Sequence, residues 1–174
     1  MTDHSVILLS PEQAEARRDG LVDLLVDAVE SGASVNFLWP MTRAKAEAWW
    51  KGALASHARG ERLIFAAEAD GRIDGSVQIT LAPQENQPFR ADLGKLLVHR
   101  RARRKGLGAL LMGAAESEAR RIGRTLLMLD TEAGSDAERL YDRLGWIRYG
   151  QVPGYAMRAE DHSRELVTFF YKEL

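Results

Sequence analysis

Apolar residues recur along this chain in two rhythms, one helical and one alternating. Leu21, Leu24, Leu25, Ala28 and Val29 return every three to four positions, which predicts a helix ending near Ser31-Gly32. Ser10-Pro11-Glu12 supplies its start, with proline at the first helical position, where a missing N–H costs nothing. Ahead of it, residues 6–9 read as a short strand. Ala46, Trp49, Trp50 and Leu54 repeat the helical spacing behind Thr42 as cap, and the pattern stops near Arg59-Gly60. Residues 32–40 between the two helices read as a loop carrying Val35, Phe37, Leu38 and Trp39.

The rhythm then changes. Residues 63–68 and 73–81 predict two strands joined by Asp70-Gly71, a hairpin turn. A third strand is expected at 91–99. Residues 106–122 predict a helix with Leu107, Leu110, Leu111, Ala114 and Ile122 on one face. Residues 125–129 are almost continuously apolar, as in a strand buried on both sides. Ser135 and Glu138 fit a capping box that opens a helix, and Gly145 closes it. Strands at 147–152 and 167–171 complete the order. The hairpins impose antiparallel pairing, and strand–helix–strand across 91–129 implies one parallel crossover. The expected fold is α/β (α+β), with a mixed, mostly antiparallel central sheet and helices on both faces. A single domain over 1–174 follows from the length and the lack of any linker or repeat.

Composition narrows the chemistry. The chain has no cysteine, which removes disulfides, thiolate metal sites and a cysteine nucleophile, and fits a reducing compartment. Its start has neither a basic segment nor a long apolar run, and no stretch approaches the ~20 apolar residues of a membrane span. A cytoplasmic protein is therefore expected. The formal net charge is −1, so no polyanion partner is predicted. Yet Lys95, Arg100, Arg101, Arg103, Arg104 and Lys105 place six of the 24 basic residues within eleven positions, with no acid among them. Such concentration suggests a local anion site.

That site is the turn Arg103-Arg104-Lys105-Gly106-Leu107-Gly108. It leads from a strand into a helix with no Ser, Thr or Asp at its cap. The first N–H groups of a helix lack intrahelical partners and carry partial positive charge, so an anion can satisfy them. A phosphate-loop pattern is absent, and Leu111 stands where a dinucleotide-binding turn needs its third glycine. The cluster has no interleaved aromatics, which argues against a nucleic-acid arm. A pyrophosphate-bearing small molecule remains.

Arg103-x-x-Gly106-x-Gly108 resembles the R/Q-x-x-G-x-G/A signature of the GNAT superfamily of N-acetyltransferases. Ala137 to Trp146 (AERLYDRLGW) resembles its A-x-x-L-Y-x-x-x-G-F element, with Trp for Phe. Gly32-Ala33-Ser34-Val35, Leu129 to Ser135 (LDTEAGS) and Pro153-Gly154-Tyr155 are similar to the tabtoxin-resistance acetyltransferases of that superfamily. The resemblance implies an acyltransferase using acetyl-CoA, with a small-molecule amine as acceptor, such as a β-lactam amino acid. It also implies that backbone N–H groups at Leu96, Leu97 and Val98 bind the pantetheine arm, while the Arg103–Gly108 turn holds the pyrophosphate. Tyr141 would protonate the departing thiolate, and Asp130 and Asp92 would deprotonate or position the amine. Those relatives carry Glu at the position of Asp92; Asp is one methylene shorter, so a base there sits back or works through water.

Direct transfer in a ternary complex is expected, since there is no cysteine to carry an acyl group. Gly94 inside a strand is compatible with a bulge that splays it. Trp49 and Trp50 continue a helical apolar face and read as core, whereas Ser34, Phe37 and Tyr155 read as substrate-binding. His99 is a further candidate base. No His, Asp or Glu set has recognisable metal spacing, so no metal is expected. The alternatives are a protein or peptide N-acetyltransferase, and a non-catalytic coenzyme-A or nucleic-acid binding module. Monomer and homodimer both remain open.

Overall fold

The structure is a computed structural model and describes residues 4–174. Seven strands form one sheet in the order β1-β2-β3-β4-β5-β7-β6. They are β1 (Ser5–Leu8), β2 (Arg62–Ala69), β3 (Arg72–Leu81), β4 (Arg90–Val98), β5 (Leu126–Glu132), β6 (Ile147–Met157) and β7 (Arg164–Glu173). Every neighbouring pair is antiparallel except β4 and β5. Five helices cover the sheet: α1 (Pro11–Ala16), α2 (Arg18–Glu30), α3 (Arg43–Ala58), α4 (Leu107–Arg121) and α5 (Asp136–Arg143). The expected mixed sheet with helices on both faces is therefore present. One core joins α1–α3 to the face carrying Ile64, Ala66 and Leu97. The other joins α4 and α5 to the face carrying Val77, Ile79, Leu93, Leu127, Leu129 and Phe170.

The helix starts follow local chemistry. Ser10 and Gln13 form a reciprocal capping box, Thr42 accepts from the Lys45 N–H, and Ser135 accepts from the Glu138 N–H. Four expectations need correction. The first helix divides at Arg17, whose backbone leaves the helical range and whose guanidinium holds Glu68 on β2. On α4 the buried stripe is Leu107, Leu111, Met112, Ala115 and Ala119, while Leu110 is 55% exposed. The stripe is turned by close approach to β3, where a Cβ on Gly75 would meet a Leu111 methyl at 2.8 Å. β5 is not buried on both faces; Leu127, Leu129 and Thr131 point inward, and Asp130 lies within the strand rather than at its end. Pro153-Gly154-Tyr155 belongs to β6 and not to a loop. The pairing of β6 with β7 slips between Val152 and Ala156, which absorbs the proline and the positive φ of Gly154.

Candidate functional site

The sheet is split at its centre. β4 pairs with β5 only through Arg90, Ala91 and Asp92, opposite Leu126, Leu127 and Met128. Beyond Asp92 the two strands part. Opposite β3, Ser76 pairs with Leu97 but Gln78 with Gly94, so β4 spends one residue more than β3 across that interval. The extra residue bends the strand. The bulge expected at Gly94 is thus present, but its positive φ (51°) falls on Lys95. Leu96, Leu97 and Val98 continue β4 along the opening, where their β5-facing backbone groups have no strand partner.

The expected anion turn sits at the end of that opening. Gly106 is the N-cap of α4 with φ 80°, and no side chain caps the helix. Among the described residues, the N–H groups of Gly106, Leu107, Gly108 and Ala109 have no protein acceptor. The two glycines serve different needs. A Cβ at Gly106 would meet nothing within 4 Å, so this residue supplies the left-handed conformation alone. A Cβ at Gly108 would lie 3.1 Å from Leu140 Cδ2, so Gly108 lets α4 and α5 approach.

The basic cluster does not act as one. Arg100 is held by Asp27 and Arg101 by Asp74. Arg103 donates to the Val98 carbonyl and to Ser31 Oγ, and Lys105 to the Arg101 carbonyl. Arg104, in a left-handed conformation, is 88% exposed and 3.7 Å from Asp136. Lys95 lies apart from the turn, inside the cleft described below. His99 caps the short 3-10 turn Arg100–Ala102 beside Asp27.

Tyr141 stands on the α4/α5 side of the sheet, 5.8 Å from the Phe170 ring and 6.0 Å from Trp146. Trp146 is fixed by donating from Nε1 to Glu116 at 2.9 Å. Among the described residues none is hydrogen-bonded to the Tyr141 hydroxyl, and its oxygen is not among the fully enclosed polar atoms. Burial raises its pKa, and the charge of Asp130 pushes the same way, so the phenol stays protonated.

Asp92 and Asp130 share the opposite face. Asp92 aligns with Met128 in the parallel register, two residues before Asp130. Burial raises the Asp92 carboxyl above its ordinary value, opposed by Arg90 at 3.2 Å. Asp130 opens toward solvent, yet the protein packed around it also raises its carboxyl; Lys95 opposes this and Asp92 adds to it. Either group is therefore a better proton acceptor than a free aspartate.

Aromatic side chains flank the aspartates on this face, and the ground between them is the candidate cleft. On one side are Phe37 and Trp49, packed edge to face at 5.8 Å. On the other, Tyr155 lies edge-on to Phe169 at 5.0 Å, with Tyr149 beside it. Phe37 and Tyr155 thus belong to two separate aromatic groups, one with Trp49 and one with Phe169. Trp50 is core, and Trp49 is partly buried and packed against the same core, with one edge toward Phe37 and Lys95. The Ser34 hydroxyl is spent on Glu165, donating to Oε1 at 2.7 Å, so Ser34 ties its loop to β7. Lys95, Arg62 and Gln78 complete the floor and were not singled out from sequence for this cleft. The one available signal was a lysine beside a strand glycine. Among the described residues, no group of three or more His, Asp or Glu is placed to hold a metal ion. Nor is any helix of these residues long and apolar enough to cross a membrane.

Comparison with known proteins identifies the family. Residues 15–146 match the model of the Acetyltransferase (GNAT) family. An uncharacterized N-acetyltransferase of Azospirillum brasilense, from the hisH-hisA intergenic region, is 37% identical over 112 residues, covering 63% of this chain and 65% of that protein. The match thus spans less than two thirds of the relative's length. A ribosomal-protein-alanine N-acetyltransferase from Brucella melitensis has a similar fold, with TM-score 0.78 and 22% identity over 98% of this chain and 99% of that one. A Salmonella typhimurium protein assigned as an acetyltransferase, solved with its cofactor acetyl-CoA, gives TM-score 0.78 and 20% identity over 98% of this chain and 94% of its own.

Proposed function

Because the chain belongs to the GNAT family of acetyltransferases, we propose that it transfers an acetyl group from acetyl-CoA directly to the amine of a small molecule, with toxins and antibiotics such as β-lactam amino acids as the leading acceptor class. The observation that carries this reading is the uncapped start of α4, with unpartnered N–H groups at the end of the gap between β4 and β5. A bound pyrophosphate would accept from those N–H groups, with Arg104 and Lys105 adding favourable potential.

Acetyl-CoA would supply a thioester carbonyl and a thiolate leaving group. Backbone N–H groups among Leu96, Leu97 and Val98 would stabilise charge developing on the carbonyl oxygen. Asp130, with Asp92 beside it, would orient the amine and take up its proton, directly or through water. Tyr141, kept protonated by its burial, would return a proton to the departing sulfur. Phe37 and Tyr155 would confine the acceptor, and Ser34 would hold the loop that carries Phe37. The two aspartates and the tyrosine lie on opposite sides of the sheet, which is compatible with direct transfer through the gap.

The test is calorimetric titration with acetyl-CoA, followed by a thiol-release screen across amines that includes β-lactam amino acids, aminoglycosides and peptides. Binding that Arg103→Glu with Gly108→Asp abolishes while the far-ultraviolet circular dichroism stays native, and turnover on small amines above that on peptides, supports the reading. Absence of binding at millimolar acetyl-CoA overturns it.

A further inference from the structure

The cleft holds donors that the protein does not use. The bulge turns Lys95 over the sheet, so its Nζ lies 5.5 Å from the ring centroids of both Phe37 and Trp49. Arg62, at the start of β2, places its guanidinium 5.8 Å from the Trp49 ring. One of its N–H groups goes to Gln78 Oε1. Its Nε, and the Nε2 of Gln78, are buried with no acceptor. Gln78 is 1% exposed and pairs across the sheet with Gly94, the residue before Lys95. These three side chains thus converge from β2, β3 and β4.

Such an arrangement is costly in isolation. A buried donor without an acceptor loses its hydration and gains nothing, and a buried cation loses more. Two cations near each other add repulsion. Burial, with the charge of Arg62, lowers the Lys95 pKa to about 8 against the pull of Asp130. The remedy is an oxyanion. Beside Lys95 its charge would offset Lys95 and Arg62 together, and it would accept from Arg62 Nε and Gln78 Nε2 once these enclosed side chains turn toward it. The same floor carries Asp92 and Asp130, so it has a cationic end and an anionic end. A molecule bearing both an amine and an acid group matches both ends.

We propose that Lys95, Arg62 and Gln78 form a subsite for a carboxylate carried by the acceptor, and that the acceptors are amines bearing an acid group, free amino acids above all, rather than plain amines or protein lysines. This rests on the acetyl-transfer reading, which puts the amine beside Asp92 and Asp130. Lys95 and Arg62 act as specificity residues for the acid group and take no part in the chemistry at the thioester.

The test compares free L-amino acids with their carboxamides as acceptors in the thiol-release assay. The wild type should prefer acids by roughly ten- to a hundredfold in kcat/KM, the size of one or two charge-assisted hydrogen bonds. In Lys95→Gln and Arg62→Gln that ratio should fall toward one, and Arg62→Lys should restore part of it. A second measurement needs no turnover: N-acetyl amino acids and their amides are titrated against the protein with coenzyme A present. The acids should bind more tightly, and Lys95→Gln should erase the difference. An acid-to-amide ratio near one in the wild type, in either measurement, overturns the proposal even if amines are acetylated. If Lys95→Gln and Arg62→Gln fail to fold, the wild-type ratios still decide. Absence of any acetyl-CoA turnover would sink the transferase reading instead, and the titration would still judge the subsite.

Discussion

Gly108 faces Leu140 across the α4–α5 contact, where an added methyl group would have to push a Leu140 methyl aside by a few tenths of an ångström. A Cβ there would sit 3.1 Å from Leu140 Cδ2. A glycine that looks like a cofactor residue is therefore also a packing residue. Gly108→Val should destabilise the fold by about 1–3 kcal/mol through overpacking. A double-mutant cycle checks the cause, because the penalty should shrink in a Leu140→Ala background. At Gly106 the cost has another origin: φ is 80° with open space around the Cβ, so Gly106→Ala should cost about 1–2 kcal/mol whatever is done to Leu140.

Tyr141→Phe keeps the ring against Phe170 and Trp146 and removes only the hydroxyl, to which no described residue is hydrogen-bonded. Thermal stability should barely move. Turnover should fall about a hundredfold, the ordinary reach of a positioned acid, with little change in acetyl-CoA affinity. Steady-state kinetics beside a calorimetric titration separate the two, and unchanged kcat would remove Tyr141 from the reaction.

Ser34→Ala should reveal a supporting role. Glu165 is 3% exposed, accepts from Ser34, and has its other oxygen unpartnered, with Arg158 4.0 Å away. Loss of the hydroxyl leaves a buried carboxylate without a hydrogen bond, at a cost of about 1–3 kcal/mol. Denaturant melts should register this loss. A change in acceptor KM with stability intact would instead make Ser34 a direct contact.

Lys95 makes stability depend on alkaline pH. Its folded pKa of about 8 lies below the unfolded 10.5, so between these values the unfolded chain binds more protons than the folded one. Stability then rises with pH across that window, by at most about 1.4 kcal/mol per unit from this group. Lys95→Met carries the same backbone strain without the buried charge. It should exceed the wild type in stability at pH 7, and the gap should narrow toward pH 10. Parallel melt curves for the two proteins would refute this.

The sequence was most legible where one residue's chemistry fixes one backbone position. Ser10, Thr42 and Ser135 open their helices because a side-chain oxygen can reach a free N–H at only one place. Asp70-Gly71 closes its hairpin because both residues adopt positive φ. Periodicity was weaker wherever tertiary contact chooses between faces. Leu110 fits the α4 stripe as well as Met112 does, and only the approach of α4 to β3 near Gly75 decides between them. Arg17 interrupts a helical pattern for the sake of Glu68, 51 positions away. The candidate site divides in the same way. The Gly106 turn and the Tyr141 element are contiguous motifs and could be read directly. Lys95 could not, because its neighbours in sequence are basic residues of the turn while its neighbours in space are Phe37, Trp49 and Arg62.

A β-sheet ordinarily divides a small protein into two sides that exchange nothing. The parting of β4 and β5 after three paired rungs makes this one a partition with a slot in it. Tyr141 waits on one side, Asp92 and Asp130 on the other. On the proposed acetyl transfer, donor and acceptor would enter from opposite doors and meet in the slot, so neither would have to make room for the other.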